Sequence, residues 1–137
     1  MSALEITEAA VRVWGADFNP NDVSTLLGMQ PSRSHHKSDI ISGTAAKVRI
    51  AKMGEWRLQA PSRFDGNLDA QIVALLSQLP DDLAIWREVS ERYSADIFCG
   101  LFMQTFNDGL SLEASTFKML ADRKLKLKLD IYCSTED

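Results

Sequence analysis

The sequence predicts a single α+β domain: a mixed or mostly antiparallel sheet of about five strands, with helices packed largely on one face in a ferredoxin-like order. Three observations carry this. Stretches that alternate with period 2 and stretches that repeat every 3.6 residues follow one another as β-α-β-β-α-α-β-α-β. The hydrophobic share is 45% over 137 residues, enough for one core without disulfides or a structural metal. No linker, repeat or low-complexity stretch divides the chain, so residues 1–137 read as one domain with its core at about 8–133.

The first strand is expected over Glu8 to Phe18, rich in β-formers, with Val11 and Val13 on one face and Arg12, Trp14 and Phe18 on the other. Asn19-Pro20-Asn21-Asp22 supplies a turn and a helix cap. Val23, Leu26 and Leu27 give a short amphipathic helix, and Gly28 can end it in the left-handed conformation. Residues 30–46 have little periodic apolar content and read as a long connection, a feature that is usually functional or mobile. Two short strands follow, Val48 with Ile50 and Trp56 with Leu58, with Met53-Gly54 at the turn.

Asp65-Gly66-Asn67 opens a helix whose Leu68, Ile72, Leu75, Leu76 and Leu79 fall on one stripe, and Pro80 ends it. Asp81-Asp82 start a second helix, where the helix dipole favours carboxylates, with Leu83, Trp86, Val89 and Tyr93 as its stripe. Ala95 to Gln104 is apolar on both faces and reads as a central strand covered on both sides for part of its length. After the Asn107-Asp108-Gly109 turn, Ser111 can cap a helix carrying Phe117, Met119 and Leu120, and Arg123-Lys124 suit its C-terminal end. The alternation from Leu125 to Cys133 points Leu and Ile at a core and Lys126, Lys128, Asp130 and Tyr132 at solvent or a second layer. The last strand-helix-strand unit should pair its strands in parallel.

Composition excludes several classes. The longest apolar run, Ile97 to Met103, contains Gly100 and is far shorter than the ~20 residues of a membrane-spanning helix. The opening Met1-Ser2-Ala3-Leu4-Glu5 has neither the basic head nor the apolar stretch of a signal peptide, so a cytoplasmic protein is expected, with no membrane partner. The formal net charge is −4 and the pI is near 5.1, the opposite of a nucleic-acid-binding footprint. Charge is uneven, however. From Gln30 to Arg63, seven basic residues stand against Asp39 and Glu55, a net +5 that leaves −9 for the rest. Such a stretch either holds an anionic group or faces the chain's own acidic helices at Asp81, Asp82, Glu88 and Glu91.

Cys99 and Cys133 have no Cys-x-x-Cys partner and no His at ligand spacing, and both fall on expected apolar strand faces, so inert thiols are expected. His35-His36 with Asp39 is the one cluster with metal-ligating side chains, but adjacent loop histidines point apart and no third strong ligand is near; no metal or cofactor is expected. There is no Gly-x-Ser-x-Gly, and Ser42-Gly43-Thr44 lacks the Lys and spacing of a phosphate loop. The better candidate set is Arg33, Lys37, Asp39, Trp56 and Arg57. Arginine offers a planar fork for carboxylate or phosphate, and tryptophan an apolar wall with one donor. The competing reading is an Arg–Asp pair that pins the long loop over a packed Trp56.

Several segments in order also carry a resemblance: VRVWGADFNPNDVSTLLGMQPSR at 11–33, Lys37-Ser38-Asp39, Trp56-x-Leu58, FCGLF at 98–102, Asn107-x-Gly109 and KLKLKLDIYC at 124–133. Together they resemble a bacterial family catalogued as a domain of unknown function, number 4279. Its members look like a strand ending in Asp-Phe/Leu-Asn/Asp-Pro, a Leu-Leu-Gly helix, then Pro-Ser/Thr-Arg with a Lys-Gly-Asp downstream. Here Ser38 stands in place of that Gly. The resemblance implies one intracellular α+β domain, directs attention to Arg33, Lys37, Asp39 and Trp56, and implies no activity.

The expectation for function is therefore a non-enzymatic binding module. It would recognise a protein partner, in an immunity- or antitoxin-like role, or an anionic group, through residues 30–57. The alternative is an enzyme on a small anionic substrate, with Arg33 and Lys37 as clamps and His35 or His36 as base. A third reading is a homo-oligomer that pairs exposed edge strands.

Overall fold

The sheet is built outward from one strand of ten residues. In the computed structural model, which describes residues 2–3, 6–43, 48–61 and 66–133, a two-residue strand β1 (Ser2–Ala3) precedes β2 (Ile6–Gly15). There follow α1 (Pro20–Leu27), β3 (Arg33–His35), β4 (Ile40–Gly43), β5 (Val48–Ile50), β6 (Gly54–Gln59), α2 (Leu68–Ser77), α3 (Leu83–Arg92), β7 (Ser94–Phe102), β8 (Asp108–Gly109), α4 (Ala114–Asp122) and β9 (Lys126–Tyr132). The main sheet has five strands in the order β3-β6-β2-β7-β9. Neighbours are antiparallel except β7 and β9, which run parallel. A four-strand ferredoxin-like plan contains no such parallel edge strand, so the sheet is best described by its own order. Two small ladders, β1 with β8 and β4 with β5, complete the pairing.

Register explains why one face is apolar. Val13 lies opposite Trp56 and Val11 opposite both Leu58 and Ile97, while Ala9 lies opposite Cys99. Directly opposed residues share a face. These side chains and Leu101 join Val23 and Leu27 of α1, Leu68, Ile72, Leu75 and Leu76 of α2, Trp86 and Val89 of α3 and Leu120 of α4 in one buried cluster. All four helices thus pack on a single face of the sheet.

Local chemistry sets the helix ends. Asn19 Oδ1 accepts from Asn21 N at 3.0 Å, and Gly28 closes α1 at φ 63°, donating its N–H to Ser24 O. Asn67 Oδ1 caps α2 through Ala70 N, and Asp82 Oδ1 caps α3 through Ala84 N. The first residue of the expected Asp65-Gly66-Asn67 start, like Thr44, Lys47 and Arg63, lies outside the described residues. Ser111 does not cap α4. Glu113 is its N-cap residue, and Asp69 of α2 does the work from across the interface: its Oδ1 accepts from Glu113 N at 2.9 Å and from Thr116 Oγ1 at 2.6 Å.

Other expectations are corrected by packing. Phe18 lies beyond β2 and turns back into the core, edge-on to Tyr93 at 5.1 Å, instead of sharing a face with Arg12 and Trp14. The 30–46 connection is not structureless: β3 and β4 lie within it. The two short strands expected as a hairpin belong to different sheets, because β5 pairs with β4 and β6 with β2 and β3. β7 is, as expected, an interior strand, between β2 and β9 and with buried residues on both faces, while β2 is the middle strand. Leu83 and Phe117 are exposed on their helices. Leu125, just before β9, and Leu127 reach the core, but Leu129 and Ile131 are 41% and 60% exposed. Cys133, placed just past that strand, is exposed as well.

Candidate functional site

The face of the sheet turned away from the helices carries the charge. Arg33 lies opposite Arg57, Arg57 opposite Arg12, and Arg12 opposite Asp96, so three arginines stand side by side across β3, β6 and β2. Lys126 on β9 continues the row beyond Asp96. Directly opposed side chains have Cβ atoms ~4.5–5.5 Å apart, close enough for like charges to repel.

Neutralisation within the row is uneven. Arg12 donates from Nε and Nη2 to the two carboxylate oxygens of Asp96, at 2.9 and 2.6 Å, and Asp96 is buried. The hydrogen bond to Asp96 is the main reason that the Arg12 pKa is raised. Arg57 has only Glu55 Oε2, at 3.4 Å, and its buried Nε has no hydrogen-bond partner among the described residues. The Phe98 ring lies beneath both guanidinium groups, 4.4 Å from Arg12 Cζ and 5.7 Å from Arg57 Cζ, which holds their planes without consuming their donors. Arg33 is exposed.

Beside the row lies a pocket of about 610 Å³ lined by Arg12, Trp14, His35, Glu55 and residues 50–54. This volume is within the ~300–1,000 Å³ range of small-molecule sites. Trp14 provides its aromatic wall, with Arg12 Cζ 5.4 Å from the ring centre, and Lys52 adds a further cation. One wall is held by a tight turn at its base. Asp39 Oδ2 accepts from His36 N at 2.7 Å, and Ala51 exchanges backbone bonds with Ser38 N and Asp39 O. Ser38 sits at φ 74°, a left-handed conformation that favours Gly. The turn therefore has the geometry that the Lys-Gly-Asp pattern implies, with a serine in the glycine position.

Of the five candidate residues, the structure brings Arg33, which is exposed, and Arg57, whose side chain is 19% exposed, together on the face turned away from the helices. Lys37 is exposed on the 36–39 turn and lines no part of the pocket. Asp39 holds that turn through the His36 backbone; its carboxylate also lies 3.7 Å from His36 Nδ1. Trp56 lies on the other side of the sheet, fully buried, with its indole N–H donated to Ser24 Oγ at 3.0 Å. Its aromatic role in the site falls to Trp14, and the strand alternation of β2, which puts Trp14 with Arg12, was the available signal. Arg12 was missed as a site residue for a different reason: its row depends on register between strands distant in sequence. Of the groups an acid–base reading needs, His35 lines the pocket and His36 does not. Arg33 and Arg57 of the basic stretch do not face the acidic helices, since they are on the opposite side of the sheet.

Among the described residues, no group of three or more His, Cys, Asp or Glu is arranged to hold a metal ion. No helix of the described residues is long and apolar enough to cross a membrane. A family model described as a domain of unknown function, DUF4279, matches residues 5–134. No curated protein and no solved structure gives a match.

Proposed function

The chain belongs to the DUF4279 family, a domain of unknown function, and from the site itself we propose a non-enzymatic binding module that captures an anionic ligand on the open face of its sheet. The carrying observation is the row Arg33–Arg57–Arg12, in which, among the described residues, Arg12 has a two-point carboxylate partner, Arg57 only a single contact with Glu55 at 3.4 Å, and Arg33 none. A carboxylate or phosphate placed between Arg33 and Arg57 would relieve their repulsion and could take two donors from each fork. The flat remainder of the ligand would rest against Trp14 in the adjoining pocket, with Lys52 at its rim.

The test is a thermal-shift panel of inorganic phosphate, sulfate, small dicarboxylates and nucleotides at constant ionic strength, with an Arg33→Ser/Arg57→Ser variant alongside. A ligand at 100 times its dissociation constant adds about 2.7 kcal/mol, a rise on the order of 5–10 °C for this size. The expected result is a rise in the parent protein that disappears in the variant, together with a change in tryptophan fluorescence that a Trp14→Phe variant loses. A flat panel, or a shift that the variant retains, overturns the assignment.

A further inference from the structure

The outer edge of β9 has no strand beside it among the described residues, although it is seven residues long and carries exposed Leu129 and Ile131. An unpaired edge of this length is a template for pairing with another chain. The orientation of the backbone at this edge follows from one bond. Met103 N donates to Tyr132 O at 2.8 Å, so the Tyr132 carbonyl is turned inward to β7. By alternation the backbone groups of Lys126, Lys128 and Asp130 also point to β7, and those of Leu127, Leu129 and Ile131 point outward with no ladder partner among the described residues.

We propose that this edge is a self-association surface: two copies pair their β9 strands antiparallel, with Leu129 on the two-fold axis, to give one continuous ten-stranded sheet. The sequence KLKLDIY selects that occupant and that register. With Leu129 opposite its own copy, Leu127 meets Ile131 on the helix-covered face, and all three outward-pointing residues exchange backbone hydrogen bonds. On the other face Lys128 meets Asp130 twice, once on each side of the axis, and Lys126 meets Tyr132. Sliding by one residue towards either end keeps the backbone bonds but changes the charges. Centring on Lys128 sets Lys126 opposite Asp130 twice but opposes two lysines on the axis. Centring on Asp130 opposes two aspartates and sets Lys128 opposite Tyr132, so only the Leu129 register has opposite-charge pairs and no like-charge pair. Opposite charges directly across a ladder stabilise it and like charges destabilise it, so the sequence specifies one register. Self-complementarity about a single residue is what a two-fold interface requires, and a random partner strand would not need it. The exposure of Leu129 and Ile131 then has a cause, since these side chains would pack across the axis.

Sedimentation equilibrium of the purified chain across a range from about 1 to 300 μM tests this. A monomer–dimer equilibrium is expected. Lys128→Asp places two Asp–Asp contacts across the axis and should weaken dimerisation on the order of tenfold or more. The swap Lys128→Asp/Asp130→Lys restores both pairs with inverted polarity and should recover the parent constant. Both positions face away from the core, and a thermal melt of each variant verifies that the fold is kept. A chain that stays monomeric throughout the range, a Lys128→Asp variant that dimerises like the parent, or a swap that fails to recover would each overturn the proposal.

Discussion

Arg12 and Asp96, 84 residues apart in sequence, lie directly opposite each other on β2 and β7 and join by two parallel hydrogen bonds at 2.9 and 2.6 Å. The arginine side chain is 19% exposed and the aspartate side chain 3%. Removing the arginine alone would leave a buried carboxylate without its counter-charge. Arg12→Met is expected to cost about 3 kcal/mol in urea denaturation, and Arg12→Met/Asp96→Leu to cost less than the single change. If the double variant were the less stable of the two, the buried Asp96 carboxylate would carry no penalty once its arginine is gone.

The Ser38 backbone gives a prediction with the opposite sign. A non-glycine residue in the left-handed region costs on the order of 1 kcal/mol. Ser38→Gly removes that strain while freeing the unfolded chain, and the net expectation is a gain of about 0.5 kcal/mol. A loss of stability on this change would mean that the serine side chain contributes to the turn.

The cap of α4 separates sequence logic from tertiary logic. Asp69→Ala should cost about 1–2 kcal/mol, because it removes the acceptor of both Glu113 N and Thr116 Oγ1. Ser111→Ala should stay within about 0.5 kcal/mol of the parent. Chemical denaturation of the two variants side by side decides the matter.

The two thiols should behave differently. Burial, reinforced by the charge of Asp96, pushes the Cys99 thiol from 9.0 up to about 12. Cys133 is exposed. A thiol reagent at neutral pH should therefore modify Cys133 rapidly and reach Cys99 only on unfolding. Because the folded state holds the Cys99 proton more tightly than the unfolded state, its contribution to stability is complete below pH 9. It is lost as pH rises towards 12, by up to about 1.4 kcal/mol per pH unit. Urea denaturation of the parent and of Cys99→Ala at pH 8, 9 and 10 should show their stability difference changing in that sense above pH 9.

Gly54 opens β6 where the chain passes over Phe18. A Cβ there would come 2.6 Å from Phe18 Cδ2 and 3.1 Å from its Cβ. Gly54→Ala is expected to cost about 1–3 kcal/mol by overpacking, and less than that in a Phe18→Ala background. Equal costs in the two backgrounds would place the effect in the backbone instead.

What the sequence determined by itself were the properties that depend on near neighbours along the chain. Periodicity placed all four helices and the long strands β2, β7 and β9; the caps at Asn19, Asn67 and Asp82 and the left-handed Gly28 were legible because a cap acts within a few residues. Alternation also put Arg12 and Trp14 on one face of β2. The ordered segments shared with the family were legible for the same reason, since motifs are read in sequence. Tertiary structure decided everything that required knowing which strand lies beside which. It put Arg33, Arg57 and Arg12 in one row, sent Trp56 to the core and gave its place to Trp14. It capped α4 from Asp69, 44 residues away, and left Leu129 and Ile131 of β9 exposed. Register is fixed by summed burial over whole faces of the sheet, a quantity that no local window of sequence contains.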